Sequence, residues 1–300
     1  MASTQKRHAE TGVIAMRFGL IASRLHRRDA NGGLAHWIEA SDAGIRSLQL
    51  ELHAVGGTYD ALMRQGLLAG YERLVRYPDG RDGGVMRLVS HIAGGLATAS
   101  ELDGVIYLID PVDPSSLYPE ALALKRQCVV HGKPFVSTVA GAIEWMAVER
   151  AHAGLAASEA ERRLFEIDQQ TVALIAHDAL KDRMVEFAAE HFDLLSRFRA
   201  RVGTGTTGGR LNDMAWSRGW PKDQPWVQRY LSGPLGGDAQ IAELVLERRC
   251  QKAIFFEDPH VARQHEADIQ LLERAVCSAT RDTTCFNSPA MAERWASAFA

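Results

Sequence analysis

The sequence predicts an α/β chain built from tandem doubly wound parallel-sheet domains. Three observations carry this: short apolar runs alternate with amphipathic helical patterns, the whole pattern occurs twice at an offset near 150 residues, and the polar motifs fall where apolar runs end. A parallel strand covered by helices on both faces reads as an unbroken apolar run. Val172 to Ala176 and Ala253 to Phe256 read that way, and Val13 to Ala22 includes such a strand.

The elements of the second copy follow in order. Val172 to Ala176 is a strand. From Asp178 onward, Leu180, Met184, Phe187, Ala188, His191, Leu195 and Phe198 fall at helical spacing, so an amphipathic helix packs on the sheet. Val202 begins the end of the next strand. Asp238 to Arg249 is a helix with Ile241, Leu244 and Val245 on one face. Ala253 to Phe256 is a strand ending at Asp258-Pro259, and Ile269 to Val276 is another helix.

The repeat is explicit in the residues. Gly19-Leu-Ile-Ala-Ser-Arg24 parallels Ala173-Leu-Ile-Ala-His-Asp178. Val55-Gly-Gly-Thr-Tyr59 parallels Gly203-Thr-Gly-Thr-Thr207, and Gly104 to Pro111 parallels Lys252 to Pro259. Each copy ends near a tryptophan, Trp145 and Trp295. Residues 1–12 form a polar tail, 13–143 the first domain and 169–300 the second. Residues 144–168, rich in Ala, Glu and Arg, read as a helical linker.

Bulk properties narrow the function classes. A chain of 300 residues suits two domains. The formal net charge of −3 makes no electrostatic case for nucleic acid or an anionic membrane. Cys128, Cys250, Cys277 and Cys285 show no paired or metal-ligand spacing and read as reduced thiols of a cytoplasmic protein. Val13 to Ala22 is cut by Arg17 and is too short to span a membrane, and no signal peptide is evident.

Four motifs carry chemistry, each with a bland alternative. Thr204-Gly205-Thr206-Thr207-Gly208-Gly209 is a small-residue loop after a strand, equally a plain turn or a phosphate cradle of amides and hydroxyls. Ser232-Gly233-Pro-Leu-Gly-Gly-Asp238 opens a helix, where an anion binds well, although an Asp there is commonly an N-cap. His177, Asp178 and Lys181 share one helical turn, as a surface cluster or as a phosphate contact. Asp258-Pro259, His265 and Asp268 follow a strand, as a solvated loop or as a donor to a carbonyl oxygen. A metal site made of His177, Asp178, Asp238, His260 and His265 matches no common zinc spacing. Converging on one sheet end, the motifs offer anion cradles, a cation, a carboxylate base and an imidazole. That set suits proton removal beside the carbonyl of a small phosphate ester.

With these residues in view, the second copy resembles the methylglyoxal synthase family, a Rossmann-like fold, in motif order, spacing and strand–loop–helix context from Thr171 to about Ala290. The resemblance implies conversion of dihydroxyacetone phosphate to methylglyoxal and inorganic phosphate, with no metal or organic cofactor. Asp238 would be the general base and His265 would polarise the ketone. Lys181, Thr204, Gly205, Thr206, Thr207, Ser232 and Gly233 would hold the phosphate. His177 would line the site, and Asp178, Asp258 and Asp268 would support the network. The runner-up is a non-catalytic regulatory module binding a small phosphorylated metabolite, which would lack the base and the imidazole.

Two departures stand out. Ala215 to Trp226, with Trp216, Trp220 and Trp226, reads as an insertion, either surface decoration or a lid or subunit contact. In the first copy, alignment through the two Asp-Pro pairs puts Ser90 at the place of Asp238, Leu117 at that of His265 and Ser23 at that of His177. Gly56 to Asp60 keeps little of the threonine cradle, and Arg27 stands near the place of Lys181. This copy is expected to be inactive. Because the resemblance implies hexamers, the expected partner is the same chain, in a homo-oligomer of three two-domain chains imitating a six-membered ring.

Overall fold

The computed structural model describes residues 16–97, 100–260 and 266–299; for residues 117, 160 and 266–269 it describes the backbone. The sequence forms two doubly wound α/β domains in tandem. In the first, β1 (Arg17–Ala22) leads to α1 (Gly33–Ser47), β2 (Glu51–Val55), α2 (Gly56–Arg64), β3 (Leu74–Tyr77) and α3 (Gly84–Ile92). Next come β4 (Gly104–Leu108), α4 (Pro119–Val130), β5 (Phe135–Val136) and α5 (Val139–His152). The second repeats the plan with β6 (Thr171–Ala176), α6 (Lys181–Glu190), β7 (Ala200–Gly203), α7 (Gly205–Ser217), β8 (Gln228–Arg229) and α8 (Gly237–Leu246). It closes with β9 (Lys252–Phe256), α9 (Glu266–Ser278), β10 (Thr284–Phe286) and α10 (Pro289–Ala296).

Both sheets are parallel throughout, in the orders β3-β2-β1-β4-β5 and β10-β9-β6-β7-β8. The strand order therefore reverses between β1 and β4 in one domain and between β6 and β9 in the other. Ligands of open α/β sheets bind at such switch points, beyond the carboxyl ends of the strands. The six residues of β6 are all buried because helices cover both faces. Val172, Leu174 and Ala176 face Met184, Phe187 and Leu211, while Ala173 and Ile175 face Ile241, Val245 and Val276.

The domains are fused rather than strung together. One hydrophobic cluster runs from Phe18 in the first domain to Trp295 in the second. Helix α5 starts before the 143/144 boundary drawn from composition, and its residues Val139 to Glu149 are buried all round. Glu144 is completely buried: its Oε1 accepts from Lys252 Nζ at 2.6 Å and Trp295 Nε1 at 2.8 Å, and its Oε2 from Thr284 Oγ1 at 2.6 Å. Where the sheet edges β5 and β10 approach, Thr138 Oγ1 donates to the Thr283 carbonyl at 2.8 Å, and Ala140 N–H to the Thr280 carbonyl at 2.8 Å. The first turn of α5 is thus satisfied partly by the other copy, and the Phe135 carbonyl on the edge strand β5 accepts from Asn287 Nδ2 at 3.3 Å.

The tryptophan insertion is tied down in its own domain. Trp226 is buried, stacks on Phe192 at 5.1 Å and donates from Nε1 to Ser196 Oγ at 2.9 Å. Arg201 lies over Trp220 and Trp226 at 5.6 and 5.5 Å. Core packing, rather than decoration or a lid, accounts for these two rings.

Candidate active site

A cleft of about 510 Å³ opens at the switch point of the second sheet. His177 follows β6 directly, Thr204 follows β7 and caps α7, and Asp258 lies two residues beyond β9. Ser232 and Gly233 come from the loop before α8, and Asp238 is the second residue of that helix. Four segments distant in sequence meet here because each parallel strand delivers its loop to the same edge.

Asp238 is not the N-cap of α8. That place belongs to Gly236, whose φ of 95° is the left-handed conformation glycine tolerates. Asp238 is 4% exposed, and its carboxylate turns back over the loop. A β-carbon on Gly233 would lie 2.8 Å from Asp238 Oδ2, so residue 233 must be glycine for the carboxylate to sit there. Thr204 and Ser232 occupy N-cap positions yet make no capping hydrogen bond, so their hydroxyls are not consumed by the helix and turn they precede. The first turn of α7 adds backbone N–H groups and the positive end of its dipole.

The ring of His177 is fixed on two sides. Its Nδ1 accepts from the Asp258 backbone N–H at 2.9 Å, and its plane meets Phe255 edge-on at 4.7 Å. A neutral ring that accepts at Nδ1 carries its proton on Nε2, so His177 is a donor at Nε2. Lys181 Nζ pairs with Asp178 Oδ1 at 2.5 Å; the lysine is mostly covered and the aspartate 93% exposed. An incoming phosphate would compete with this exposed carboxylate for the ammonium.

The cleft gathers His177, Asp178, Lys181, Thr204, Thr206, Ser232, Gly233, Asp238 and Asp258 from the expected set. It does not gather Thr207 or Gly205. Thr207 is fully buried, and its hydroxyl has no hydrogen-bond partner among the described residues; one turn position separates it from Thr206, enough to point it inward. Gly205 lets two loops touch, since a β-carbon there would lie 3.0 Å from the Ser232 nitrogen. His265, and the side chain of Asp268, lie outside the described residues. Ile175, Ala176, Pro234 and Phe255 form apolar walls that motif reading missed; lying at strand and loop ends was their only signal. Among the described residues the one cluster with metal-ligand spacing, Glu190, His191 and Glu293, lies outside this cleft, and His191 Nε2 pairs there with Glu293 at 2.7 Å.

The first domain corrects two alignments. Its Asp79-Gly-Arg-Asp-Gly-Gly-Val85 folds as Ser232 to Asp238 does: a short 3₁₀ turn, a left-handed glycine (Gly83, φ 81°), then a helix. Val85, not the exposed Ser90, stands at the place of Asp238. The Asp-Pro pairs misaligned it because the chain between that loop and the next strand differs in length. Likewise α2 starts at Gly56 behind Val55 as α7 starts at Gly205 behind Thr204, so Gly57 matches Thr206 and Thr58 matches Thr207.

No family model matches the chain. It is similar to the methylglyoxal synthase of Thermus thermophilus, 44% identical over 109 residues, which covers 36% of this chain and 79% of the relative. The methylglyoxal synthase of Agrobacterium fabrum is 42% identical over 108 residues, covering 35% of this chain and 77% of the relative. A crystal structure of methylglyoxal synthase from Elizabethkingia anophelis is 32% identical, covers 42% of this chain and 76% of that one, and superposes with a TM-score of 0.34. With about a third of its length matching most of these relatives at such identity, the chain belongs to the methylglyoxal synthase family.

Proposed function

We propose that the second domain is a methylglyoxal synthase, converting dihydroxyacetone phosphate to methylglyoxal and inorganic phosphate. The observation that carries this reading is one cleft combining a covered carboxylate, Asp238, with an ammonium, Lys181, and the hydroxyls of Thr204, Thr206 and Ser232. Asp238 removes a proton from the hydroxyl-bearing carbon, giving an enediolate. The electron pair then expels phosphate as the ester C–O bond breaks, and the resulting enol takes up a proton to become methylglyoxal. His177, held as an Nε2 donor, lines the substrate site. The role of polarising the ketone falls to His265 on the family resemblance.

The same enediolate could reprotonate and yield only an isomer. Expulsion is faster when the ester C–O bond stands perpendicular to the enediolate plane, so a cradle that fixes this torsion directs the outcome. Hydroxyl and amide donors around the phosphate also stabilise its leaving charge. The first domain has Val85 at the place of the base, and a hydrocarbon takes no proton, so it contributes no turnover.

Purified protein is incubated with dihydroxyacetone phosphate, following methylglyoxal and phosphate together. Equal release of both products, reduced about 10²–10⁴-fold in Asp238→Asn, is the expected result. A folded protein that releases neither product would leave a non-catalytic phosphate-ester-binding module as the reading.

A further inference from the structure

The first domain also has a cleft at its switch point, with the opposite charge. It measures about 390 Å³ and is lined by Arg24, Leu25, Arg27, Arg28, Gly57, Arg64 and Asp110. By position after matching strands and helix starts, Arg24 replaces Asp178, Arg27 replaces Lys181, Gly57 replaces Thr206 and Asp110 replaces Asp258. The second cleft sets one ammonium among three carboxylates; this one sets four guanidinium groups against one carboxylate.

Apart from a long hydrogen bond from Arg64 Nη2 to the Arg27 carbonyl at 3.4 Å, these arginines are little engaged. Among the described residues Arg24, Arg27 and Arg64 form no ion pair, and Arg28 reaches only its neighbour Asp29, at 3.8 Å. Asp113 stands close enough to feel them: its pKa is lowered, chiefly by the Ser115 backbone N–H and further by Arg24 and Arg27. The Arg27 guanidinium lies so close over Gly57 that a β-carbon there would fall 1.8 Å from Nη1. That sets a cation against the first turn of α2, where the helix dipole disfavours it; the helix supplies no acidic residue of its own there, and the Asp79 carboxylate beside Gly56 is shared with Arg76 at 3.5 Å. Ser23, at the place of His177, is buried, and its hydroxyl has no hydrogen-bond partner among the described residues.

We propose that this cleft is a second, non-catalytic binding site for a small organic or inorganic anion bearing at least two phosphate groups. Guanidinium forks bind phosphate oxygens in pairs, and an anion touching both Arg27 and the first turn of α2 offsets the repulsion between them. The volume suits a metabolite rather than a macromolecule. The surplus positive charge selects a ligand more highly charged than a simple phosphate ester. With Val85 at the place of Asp238, the cleft lacks the carboxylate that would start turnover in the second domain.

Inorganic pyrophosphate is the probe, titrated calorimetrically into the full chain beside inorganic phosphate. Arg24 and Arg64 are both exposed, so Arg24→Ala/Arg64→Ala leaves the core intact, checked by circular dichroism. Pyrophosphate binding in the first cleft is expected to exceed phosphate binding and to weaken roughly 10²-fold in the double variant, with turnover of dihydroxyacetone phosphate unchanged. Lys181→Ala should leave this site intact while removing any binding in the second cleft, so failure of the synthase reading and failure of this one separate. Pyrophosphate binding that survives the arginine variant, or is absent from the wild-type chain, would overturn the proposal.

Discussion

Gly233 is the most exacting residue of the site. Adding a methyl group there drives a β-carbon to 2.8 Å from Asp238 Oδ2, closer than real contacts allow. Gly233→Ala should keep the fold and lower kcat by up to about 10²-fold, since small misplacements of a base are costly; a kcat unchanged from wild type would show that the carboxylate is free to move. Lys181→Met removes a charge-assisted contact and should reduce kcat/KM roughly tenfold to a hundredfold, mostly through KM. His26 acts on stability. Burial lowers its pKa from 6.5, against the opposing effects of the Ile109 carbonyl, to which its Nε2 donates at 3.0 Å, and of Asp110; Arg281 lowers it further. His53 is lowered in the same way, with Glu51 opposing. As pH falls through 6.5 the unfolded chain takes up these protons before the folded one, so stability present above 6.5 is lost below it. Urea midpoints should drop between pH 7.5 and 5.5, and drop less in His26→Gln, which keeps a donor for Ile109.

At the scale of elements, α4 of the first domain contacts the segment beside the cleft of the second. Lys125 Nζ pairs with Glu257 at 2.9 Å and Glu273 at 3.0 Å, and Arg126 Nε donates to the Pro259 carbonyl at 2.8 Å. Burial opposes the charge on Lys125, but the two carboxylates outweigh it and raise the pKa. Glu257 and Pro259 flank Asp258, whose N–H orients His177. Lys125→Met leaves two partly covered carboxylates facing each other, so about 1–3 kcal/mol of stability should be lost. Kinetics decide whether α4 also positions the site: a fall in kcat/KM with Lys125→Met at a temperature where the protein stays folded would show it, and wild-type kinetics would confine α4 to stability.

At the scale of the molecule, the Glu144–Lys252 pair joins the two domains inside one core. Burial lowers the Lys252 pKa, with Glu144 opposing. Such a pair contributes little net stability against an apolar replacement, but removing one partner strands the other and costs about 3–5 kcal/mol. Glu144→Ala should therefore lower the melting temperature of both domains together, whereas two separated transitions would mean that they fold independently. A chain holding two copies of one domain can form a closed ring from three molecules. Sedimentation should then give three times the 33.0 kDa chain mass, and a stable monomer would refute that assembly.

The tandem α/β plan, its offset and the four motifs of the second cleft are legible in the sequence, because strand burial and glycine-rich turns are local properties that leave local patterns. Thr204, Thr206, Ser232 and Asp238 could be placed at strand ends without coordinates. Thr207 could not be separated from Thr206, since one residue of helix phase decides which faces the cleft. Val85 was hidden behind a difference in loop length that only the shared left-handed glycines, Gly83 and Gly236, reveal. Glu144 read as part of a charged linker because the partners that bury it, Lys252, Thr284 and Trp295, lie more than a hundred residues away. The four arginines of the first cleft come from two segments, Arg24 to Arg28 and Arg64, which the packing of α2 beside the end of β1 brings together. The sequence by itself determined the repeated fold and the chemistry carried by each loop, through short-range pattern. The tertiary structure alone decided which side chains share a cleft, which charges are buried together and where the two copies fuse, because those depend on contacts between residues far apart in the chain.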